Sequence, residues 1–488
     1  MANTSTPCHL YPKLINLLQS AGCPNLNSAH TYTHHDTVSE MEDAIATTIT
    51  SATNDCIANS KYVGIIVDET TYIVVEKMLV IYLTLQQNGR AETVFLGNFL
   101  IPCGTAECIA AKIKDVLLAR GVALHRVVGL GSDGVSVMLG RKAGVAQQLR
   151  QTDCPYLINV HCGEHRTALA ACDTSKAVRE EGDLLSLKQP SATRWLSLER
   201  AVKGVRTNWA ALVMELEEEE AVRGCLVAKG IRKQLQMYMF PALTHLLTDV
   251  LAMVNCMNLT FQREDVVLNM TLDSLDDLMN EPGEVERKFF DTFTRRQILW
   301  HHTQADAQTF SVLHTEYIAE VTKSIKKRFP LEHVGIITDL DTVLNKSGYP
   351  TADSALKSYG MEALERPLVQ KECTLRDFLP VKRVLAQSGN PTFRESGRLL
   401  ITSLGEMFPD FKTLAEVALV IPVSSVAAER GFSLQNQIKT AMGSRLSEAK
   451  VQNLMTITSA AISCDAFDYA QASTNFKSQD QEEGLSSW

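Results

Sequence analysis

The chain has 488 residues, is 45% hydrophobic and carries a formal net charge of −9. Its length predicts roughly two to four domains with a large core, and its acidity excludes a basic surface over the whole protein of the kind that neutralises nucleic-acid phosphates. No run reaches the roughly 20 continuous apolar residues of a membrane span, and Met1–Leu10 lacks the features of a secretory signal, so we expect no membrane partner. The twelve cysteines form no disulfide-like framework, which predicts mostly free, buried thiols.

Residues 1–60 are predicted to form a lead-in segment with one helix over Ser39–Asn59. Ser39 and Glu42 have the spacing of a capping box at the start of that helix. The cysteines and histidines of this segment do not match the ligand spacing of a zinc finger. An ordinary surface segment is therefore favoured over a metal site.

Residues 61–205 combine apolar runs of strand length with helical patterns. Five strands are predicted, over Tyr62–Asp68, Met78–Leu85, Glu92–Leu100, His125–Gly131 and Tyr156–His161. The Asn88-Gly89 pair predicts a hairpin between the second strand and the third. Helices are predicted over Thr105–Arg120, Val135–Arg150 and Glu164–Val178. The order β-β-β-α-β-α-β-α indicates an α/β fold with a mixed sheet covered by helices.

Carboxylates occupy the ends of two of these strands. Asp68 ends the first strand, and Asp133 follows the fourth. A third carboxylate, Glu429, lies in a helical pattern far along the chain. Such a set can hold two divalent metal ions for phosphodiester chemistry. The alternatives are turn aspartates and a solvated helix glutamate. Glu69 is expected to point away from Asp68, because neighbouring strand residues alternate between faces.

This strand order, with carboxylates ending the first and fourth strands, is the ribonuclease-H-like arrangement. Residues 206–390 change character and are predicted to be a mainly helical insertion and connector, with helical patterns over Ala210–Gly224, Ala242–Leu259 and Thr315–Lys327. Residues 391–465 return to the first domain, with helices over Thr392–Glu406, Thr413–Val420, Ser425–Ile438 and Leu446–Ser463. The polar tail, residues 466–488, is predicted to be disordered.

Two further clusters carry candidate functional groups. Cys162 and His165 are a metal half-site, with His161 as a poorly placed third donor, whereas structural zinc takes four ligands. A buried cysteine beside a hydrogen-bonded histidine is at least as good an interpretation. Arg194-Trp195 follows a polar stretch. A lone tryptophan is usually a core residue, but beside nucleic acid it can stack on an unpaired base.

Taken in order, these segments resemble hAT-superfamily DNA transposases over about residues 60–205 and 395–460. The matching segments are Val67–Thr71, Gly131–Gly134, Cys162 with His165, Arg194-Trp195, Ser424–Ser433, Ile438–Thr440 and Arg445-Leu446. The last part is similar to the C-terminal dimerisation region of that family. The ordered set, more than any single motif, carries the resemblance.

The resemblance implies a ribonuclease-H-like catalytic domain split by a helical insertion. It assigns Asp68, Asp133 and Glu429 as the catalytic, metal-binding triad for Mg²⁺ or Mn²⁺. It implies contacts with transposon-end DNA by four residues: Cys162, His165, Arg194 and Trp195, of which the tryptophan stabilises a flipped base. It also implies a homodimer or higher oligomer, and we assign Phe432, Ile438 and Leu446 to the dimerisation surface.

The function expected from this resemblance is DNA strand cleavage and transfer in the nucleus by two-metal phosphoryl transfer, in a transposase or in a truncated or domesticated copy of one. Residues 1–60 depart from the family, since they contain no BED-type zinc finger. That departure and the acidic charge favour the alternative, a non-catalytic protein that acts through dimerisation and protein–protein interaction. A ribonuclease-H-like nuclease of another kind is disfavoured by the segment Ser424–Ser433.

Overall fold

The computed structural model divides the chain into two compact units, residues 1–161 together with 335–488, and residues 162–334. The second unit overlaps the helical insertion predicted at 206–390, although its ends lie at 162 and 334. The structure describes residues 11–20, 35–71, 77–140, 143–167, 169–170, 173–174, 195–262, 283–285, 287–288, 304–329, 340, 344, 371–389, 391–439 and 446–485.

The first unit is built on one five-stranded mixed sheet, with strand order β3-β2-β1-β4-β5. The strands are β1 (Val63–Thr71), β2 (Lys77–Gln87), β3 (Arg90–Ile101), β4 (Val127–Ser132) and β5 (Ile158–His161). Pairing is antiparallel between β1 and β2 and between β2 and β3, and parallel between β1 and β4 and between β4 and β5. The five predicted strands and the mixed α/β class are therefore confirmed.

The predicted hairpin is confirmed at the turn between β2 and β3. Asn88 and Gly89 have φ angles of 49° and 75°, as the two central residues of a type I′ turn require. An asparagine followed by a glycine is the residue pair that reaches this left-handed region with least strain.

The described residues of the N-terminal part contribute five helices to the first unit. They are α1 (Tyr11–Ser20), α2 (His35–Asn59), α3 (Ala106–Ala119), α4 (Ser136–Leu139) and α5 (Val145–Thr152). The single helix predicted over Val135–Arg150 is wrong, because the chain is helical only over α4 and α5. Between them Gly144 donates its N–H to the carbonyl of Gly140 at 3.0 Å, and a Cβ on Gly144 would lie 2.4 Å from the Gly140 nitrogen. Backbone approach this close needs glycine.

One cysteine pair departs from the expectation of free thiols. Cys103 and Cys108 form a disulfide at the start of α3, with Cα atoms 6.0 Å apart. Thr105 lies between them and caps α3 by accepting the N–H of Cys108 at 3.4 Å. The turn into the helix thus brings two cysteines five residues apart within bonding reach.

The described residues of the second unit contain helices and no strand. Its helices are α6 (Trp195–Thr207), α7 (Trp209–Arg223), α8 (Leu226–Leu235), α9 (Met239–Gln262) and α10 (Gln304–Arg328). Within α9, Met239–Cys256 is long and apolar enough by composition to cross a membrane, which the sequence did not lead us to expect. Half of that window is buried inside the unit, where Leu246 and Val250 share an apolar cluster with Ile318 of α10.

The C-terminal part returns to the first unit, where its described residues form six helices. They are α11 (Lys371–Gln387), α12 (Phe393–Thr402), α13 (Pro409–Val420), α14 (Val426–Ile438), α15 (Glu448–Ala460) and α16 (Tyr469–Leu485). The prediction of a disordered tail is wrong, because α16 packs on α2. Its polar composition is accommodated by polar contacts, such as the Asn475 amide donating to the Thr48 hydroxyl at 2.9 Å. Ala472 is buried in the same helix.

The side chains of β1 alternate between two cores, one on each face of the sheet. Val63, Ile65 and Val67 join the cluster formed with α3 and α5. Ile66 belongs to the opposite cluster, with Ala428 of α14. Because the strand period is two residues, Asp68 shares the face of Ile66 and therefore the side of the sheet on which α14 lies.

On that face, the segment between α13 and α14 crosses directly over the backbone of β1 and β4. A Cβ on Gly64 would lie 1.9 Å from the carbonyl oxygen of Val420, and one on Gly129 would lie 2.7 Å from Cδ of Pro422. Gly131 is similarly close, since its Cβ would lie 3.1 Å from Cβ of Pro422. These glycines are neighbours in the sheet, because Gly64 pairs with Gly129. We call Gly64, Gly129 and Gly131 the glycine strip.

The free edge of β3 receives the side chain of Gln452 from α15. The Gln452 carbonyl oxygen accepts the N–H of Asn98 at 2.9 Å, and its amide donates to the carbonyl of Leu96 at 3.3 Å. These are the two backbone groups flanking Gly97, next to the bulge in the pairing of β2 with β3. One side-chain amide thus makes both bonds that a neighbouring strand would make there.

We predict that Gly64→Ala lowers the free energy of unfolding by at least about 2 kcal/mol, because the added methyl group has no room against the Val420 carbonyl. Urea unfolding followed by circular dichroism measures this change. Gly397→Ala is the matched control, since its Cβ would meet Leu419 at an ordinary 3.4 Å and alanine favours the helix. Equal stability of the two variants would contradict the tight crossing.

Candidate functional site

Asp68 lies near the C-terminal end of β1, opposite Val80 of β2. Its neighbour Glu69 is on the other face, where its carboxylate pairs with Lys77. A Cβ on Gly104 would fall against both of those side chains. The prediction that Glu69 points away from Asp68 is thus confirmed.

Asp133 directly follows β4, in a turn that its own side chain stabilises. The Asp133 carboxylate accepts the N–H of Val135 at 3.1 Å, and Gly134 has a φ of +82°. A Cβ on Gly134 would lie 2.3 Å from both Cε1 and Nε2 of His161. Glycine is therefore needed here both for its backbone conformation and for this contact.

His161 is the neighbour of this turn that the sequence analysis set aside. It ends β5 and pairs with Ser132 of β4, so its ring covers the turn carrying Asp133. Strand order alone was enough to place His161 beside Asp133. The sequence order instead groups His161 with Cys162 and His165, because those two residues follow it in the chain.

Glu429 lies in the first turn of α14. The carbonyl of Ser425 accepts the N–H of Glu429 at 3.3 Å, and the Ser424 hydroxyl accepts the N–H of Val426 at 3.2 Å. The buried side of α14 packs on the sheet, where a Cβ on Gly431 would lie 2.8 Å from the hydroxyl of Tyr82. This contact sets how closely α14 approaches β2, and with it the position of Glu429.

The electrostatics show that the three carboxylates are neighbours. Burial, followed by repulsion from Asp133 and from Glu429, raises the pKa of Asp68 from 3.8 to about 7. Burial also raises the pKa of Glu429, although nearby Arg430 opposes this shift. Glu429 as a whole residue is exposed, so its carboxyl group is only partly shielded from water. Asp68 thus experiences repulsion from two acids that come from separate parts of the chain.

Carboxylate oxygens are the ligands that Mg²⁺ and Mn²⁺ prefer. Within the described ranges, no three Asp, Glu, His or Cys side chains are gathered as a ready-made metal cage. Like charges repel, and Asp133 and Glu429 raise the pKa of Asp68, an effect that a divalent cation would offset. The donor set therefore suits a hard divalent ion in its chemistry and charge.

The residues assigned to DNA belong to the second unit. Cys162 is buried, and its carbonyl accepts the N–H of Arg166 at 3.0 Å. His165 is half-buried in the same helical turn. Arg194 lies outside the described residues, and Trp195 begins α6 with a side chain that is likewise outside them. The DNA contacts of these four residues stay predictions.

Arg166, which the sequence analysis did not single out, is the neighbour of Cys162 with the clearest environment. It is buried and lies over the ring of Phe329, 5.5 Å from the centroid. Burial lowers the pKa of its guanidinium to about 10, an effect that Cys162 opposes. Cys162 therefore lies in a packed interior next to the Arg166 guanidinium, which agrees with the interpretation of Cys162 as a buried cysteine.

Two family models match the chain. The first, described as the ZMYM1/FAM200, RNase-like domain, matches residues 15–144 and includes Asp68 and Asp133. The second, the hAT family C-terminal dimerisation region, matches residues 398–461 and includes Glu429. The two matches support an hAT-derived, transposase-like protein. The predicted resemblance is therefore confirmed, and the dimerisation region supports self-association of this hAT-derived protein.

The residues that we assigned to the dimer surface of the hAT-derived protein pack within the chain. Ile438 is buried in the cluster of α14 and α15, and Phe432 and Leu446 are partly buried against it. The cluster also contains Met455 and Val451 of α15. These side chains hold the dimerisation region together, and a direct contact with a second copy stays a prediction for them.

We predict a pH-dependent gain in stability for Asp68→Asn in metal-free protein. Since the folded-state pKa of Asp68 is above its ordinary 3.8, its contribution to stability is full below pH 3.8 and is lost as pH rises through about 7. Asparagine carries no such cost. The gain in free energy of unfolding should be larger at pH 8 than at pH 5 by about 1–3 kcal/mol.

Chemical unfolding at both pH values, with chelator present, measures this difference. The control is Glu69→Gln, which removes the adjacent carboxylate on the opposite face of the sheet. An Asp68→Asn gain that is equal at the two pH values would contradict the electrostatic description of the site.

Proposed function

We propose that this protein cleaves and transfers DNA strands by metal-dependent phosphoryl transfer, as an hAT-type transposase or a domesticated derivative of one. The observation that carries the proposal is that Asp68 lies on β1 and Asp133 directly follows the neighbouring parallel strand β4, and that Asp133 and Glu429 both raise the pKa of Asp68. A structural role gives no reason to bring carboxylates from the end of β4 and from α14 within electrostatic reach of Asp68 on β1. Gathering them against their own repulsion is what a site for divalent cations requires.

The architecture supports a ribonuclease-H-like domain. The sheet order β3-β2-β1-β4-β5 combines an antiparallel meander with two parallel strands. Asp68 lies near the C-terminal end of β1 and Asp133 directly follows β4, and these two strands are neighbours and parallel. Because the ends of parallel strands meet at one edge of the sheet, ligand sites of α/β folds form there.

In this proposal, Asp68, Asp133 and Glu429 hold Mg²⁺ or Mn²⁺. Such ions, when bound, activate an attacking oxygen and stabilise the leaving oxygen of a phosphodiester. The chain's own residues position the charges. The turn of Asp133 is fixed by Gly134 and His161, and Glu429 is fixed by the packing of α14 on the sheet. With a pKa near 7, Asp68 gives up its proton when cations bind, so affinity rises with pH.

The DNA partner is proposed on chemistry alone. Cys162, His165 and Arg194 would contact transposon-end DNA, and Trp195 would stack on an unpaired base, a contact worth about 1–3 kcal/mol. A DNA substrate in turn implies work in the nucleus. The net charge of −9 requires that any phosphate-binding surface be local, since nucleic-acid affinity depends on cationic groups.

A second candidate is a non-catalytic protein that acts through self-association. Two observations favour it, the acidic balance of the chain and the match to the dimerisation region. It accounts for the buried core of α14 and α15, but it gives no reason for the cluster of carboxylates.

The decisive experiment compares wild type with Asp68→Asn, Asp133→Asn and Glu429→Gln. We expect calorimetry with Mn²⁺ to show binding that each variant weakens by at least about tenfold. We also expect Mn²⁺-dependent nicking of DNA that each variant abolishes. Glu69→Gln is the matched control and should retain both properties. Nicking that persists in all three triad variants would sink the site, and Mn²⁺ binding without nicking would favour the non-catalytic candidate.

A further inference from the structure

The helical hairpin of α7 and α8 in the second unit presents an unusual surface. The two helices pack together through one side of each, where Glu220 of α7 pairs with Arg232 of α8 at 2.7 Å. The Trp209 indole also donates to the carbonyl of Leu235 at 3.1 Å. Gly224, with a φ of 60°, turns the chain between the helices. The hairpin is therefore held together from within, and its other side is free to face outward.

The outward side of both helices carries large apolar side chains. Exposed fractions run from 47% to 81% for Met214, Val222, Leu226, Val227 and Ile231. No residue of α7 is buried. An apolar group of this size on one hairpin is more than scattered surface residues account for, and such patches mark interaction surfaces.

The exposed residues have the spacing of helix-contact stripes. On α7, Met214, Glu218 and Val222 recur every four residues and face away from α8. On α8, Val227 and Ile231 are four apart, and Gly230 lies between them. A spacing of three and four residues is what a second helix packs against.

Gly230 is the observation that points to a partner. It lies in the interior of α8, where glycine is a poor helix former. A Cβ at this position would meet nothing within 4 Å among the described residues, so packing among those residues does not require glycine there. The absence of a side chain does allow another helix to approach the backbone closely.

The charges indicate which partner fits. The exposed glutamates of α7, with Glu215 and Glu218 on the outward side, make that helix acidic. α8 carries no acidic residue. Its Lys229 and Arg232 pair with Glu220 inside the hairpin, and Lys233 lies on its exposed side. A partner of a single sign would suit one helix and repel the other. A second copy of the same hairpin, related by a two-fold axis, sets α7 against α8 of its partner twice.

We propose that the α7–α8 hairpin is a self-association surface, in which two copies pair through Met214, Val222, Val227, Gly230 and Ile231. This surface belongs to the second unit and is separate in sequence from the dimerisation region at 398–461. The partner is a second copy of this chain, held by an apolar seam with acidic and basic helices facing each other.

The first test is Gly230→Ala in the full chain, followed by sedimentation velocity over a range of concentrations. The added methyl group should weaken self-association at least about tenfold, while thermal stability stays equal or rises because alanine favours the helix. Gly204→Ala in α6 is the matched control, since its Cβ also meets nothing within 4 Å. It should leave association unchanged. Wild-type association in Gly230→Ala would overturn the proposal.

The second test exchanges charges and does not depend on the first. One variant carries Glu215→Lys with Glu218→Lys, and the other carries Lys233→Glu. Each should associate at least about tenfold more weakly than wild type, because like charges then face each other. An equimolar mixture should recover association, since each hairpin then meets its opposite charge. Association that is unchanged in both variants, or a mixture that stays dissociated, would overturn the pairing of α7 with α8.

Discussion

The candidate site depends on one steric constraint, the close crossing of the segment Val420–Val423 over the glycine strip. Glu429 is more than 290 residues from Asp133 in sequence, so only tertiary packing brings them together. Any side chain on Gly64 or Gly129 would lift this segment and the helix that follows it. The sheet positions Asp68 and Asp133. Glu429 is positioned by the close approach of the crossing segment, which is possible only because the glycine strip has no side chains.

The same face shows how packing and charge are divided. Ile66 and Ala428 provide an apolar contact between β1 and α14, and Asp68 lies just beyond Ile66. The apolar contact stabilises the approach of α14, whereas the repulsion of Asp68 by Asp133 and Glu429 opposes it. The repulsion at the site therefore lowers stability locally, and the apolar packing beside it offsets this effect, as is common at functional positions.

Much of the first unit follows from sequence pattern. Apolar runs of strand length predicted the five strands, Asn88-Gly89 predicted the hairpin, and strand order placed Asp68 beside Asp133. Glu429 was identified through the motif Ser424–Ser433 that contains it, since its local sequence alone has the pattern of a surface glutamate. The glycine strip escaped prediction, since Gly64 and Gly129 look like weak points of strands until the crossing segment is known. The helix of the tail escaped for a related reason, because its stability comes from α2 and its own composition is polar.

The contact of Gln452 with β3 has a consequence for how copies of this protein meet. An open strand edge is a template for pairing with another sheet and for aggregation. Here the side chain of a C-terminal helix occupies that edge by imitating a peptide group. Joining two sheets into one continuous sheet is thereby closed off at Leu96–Asn98. Without α15 the edge of β3 would be open again, so we expect such a chain to misassemble by adding strands at that edge.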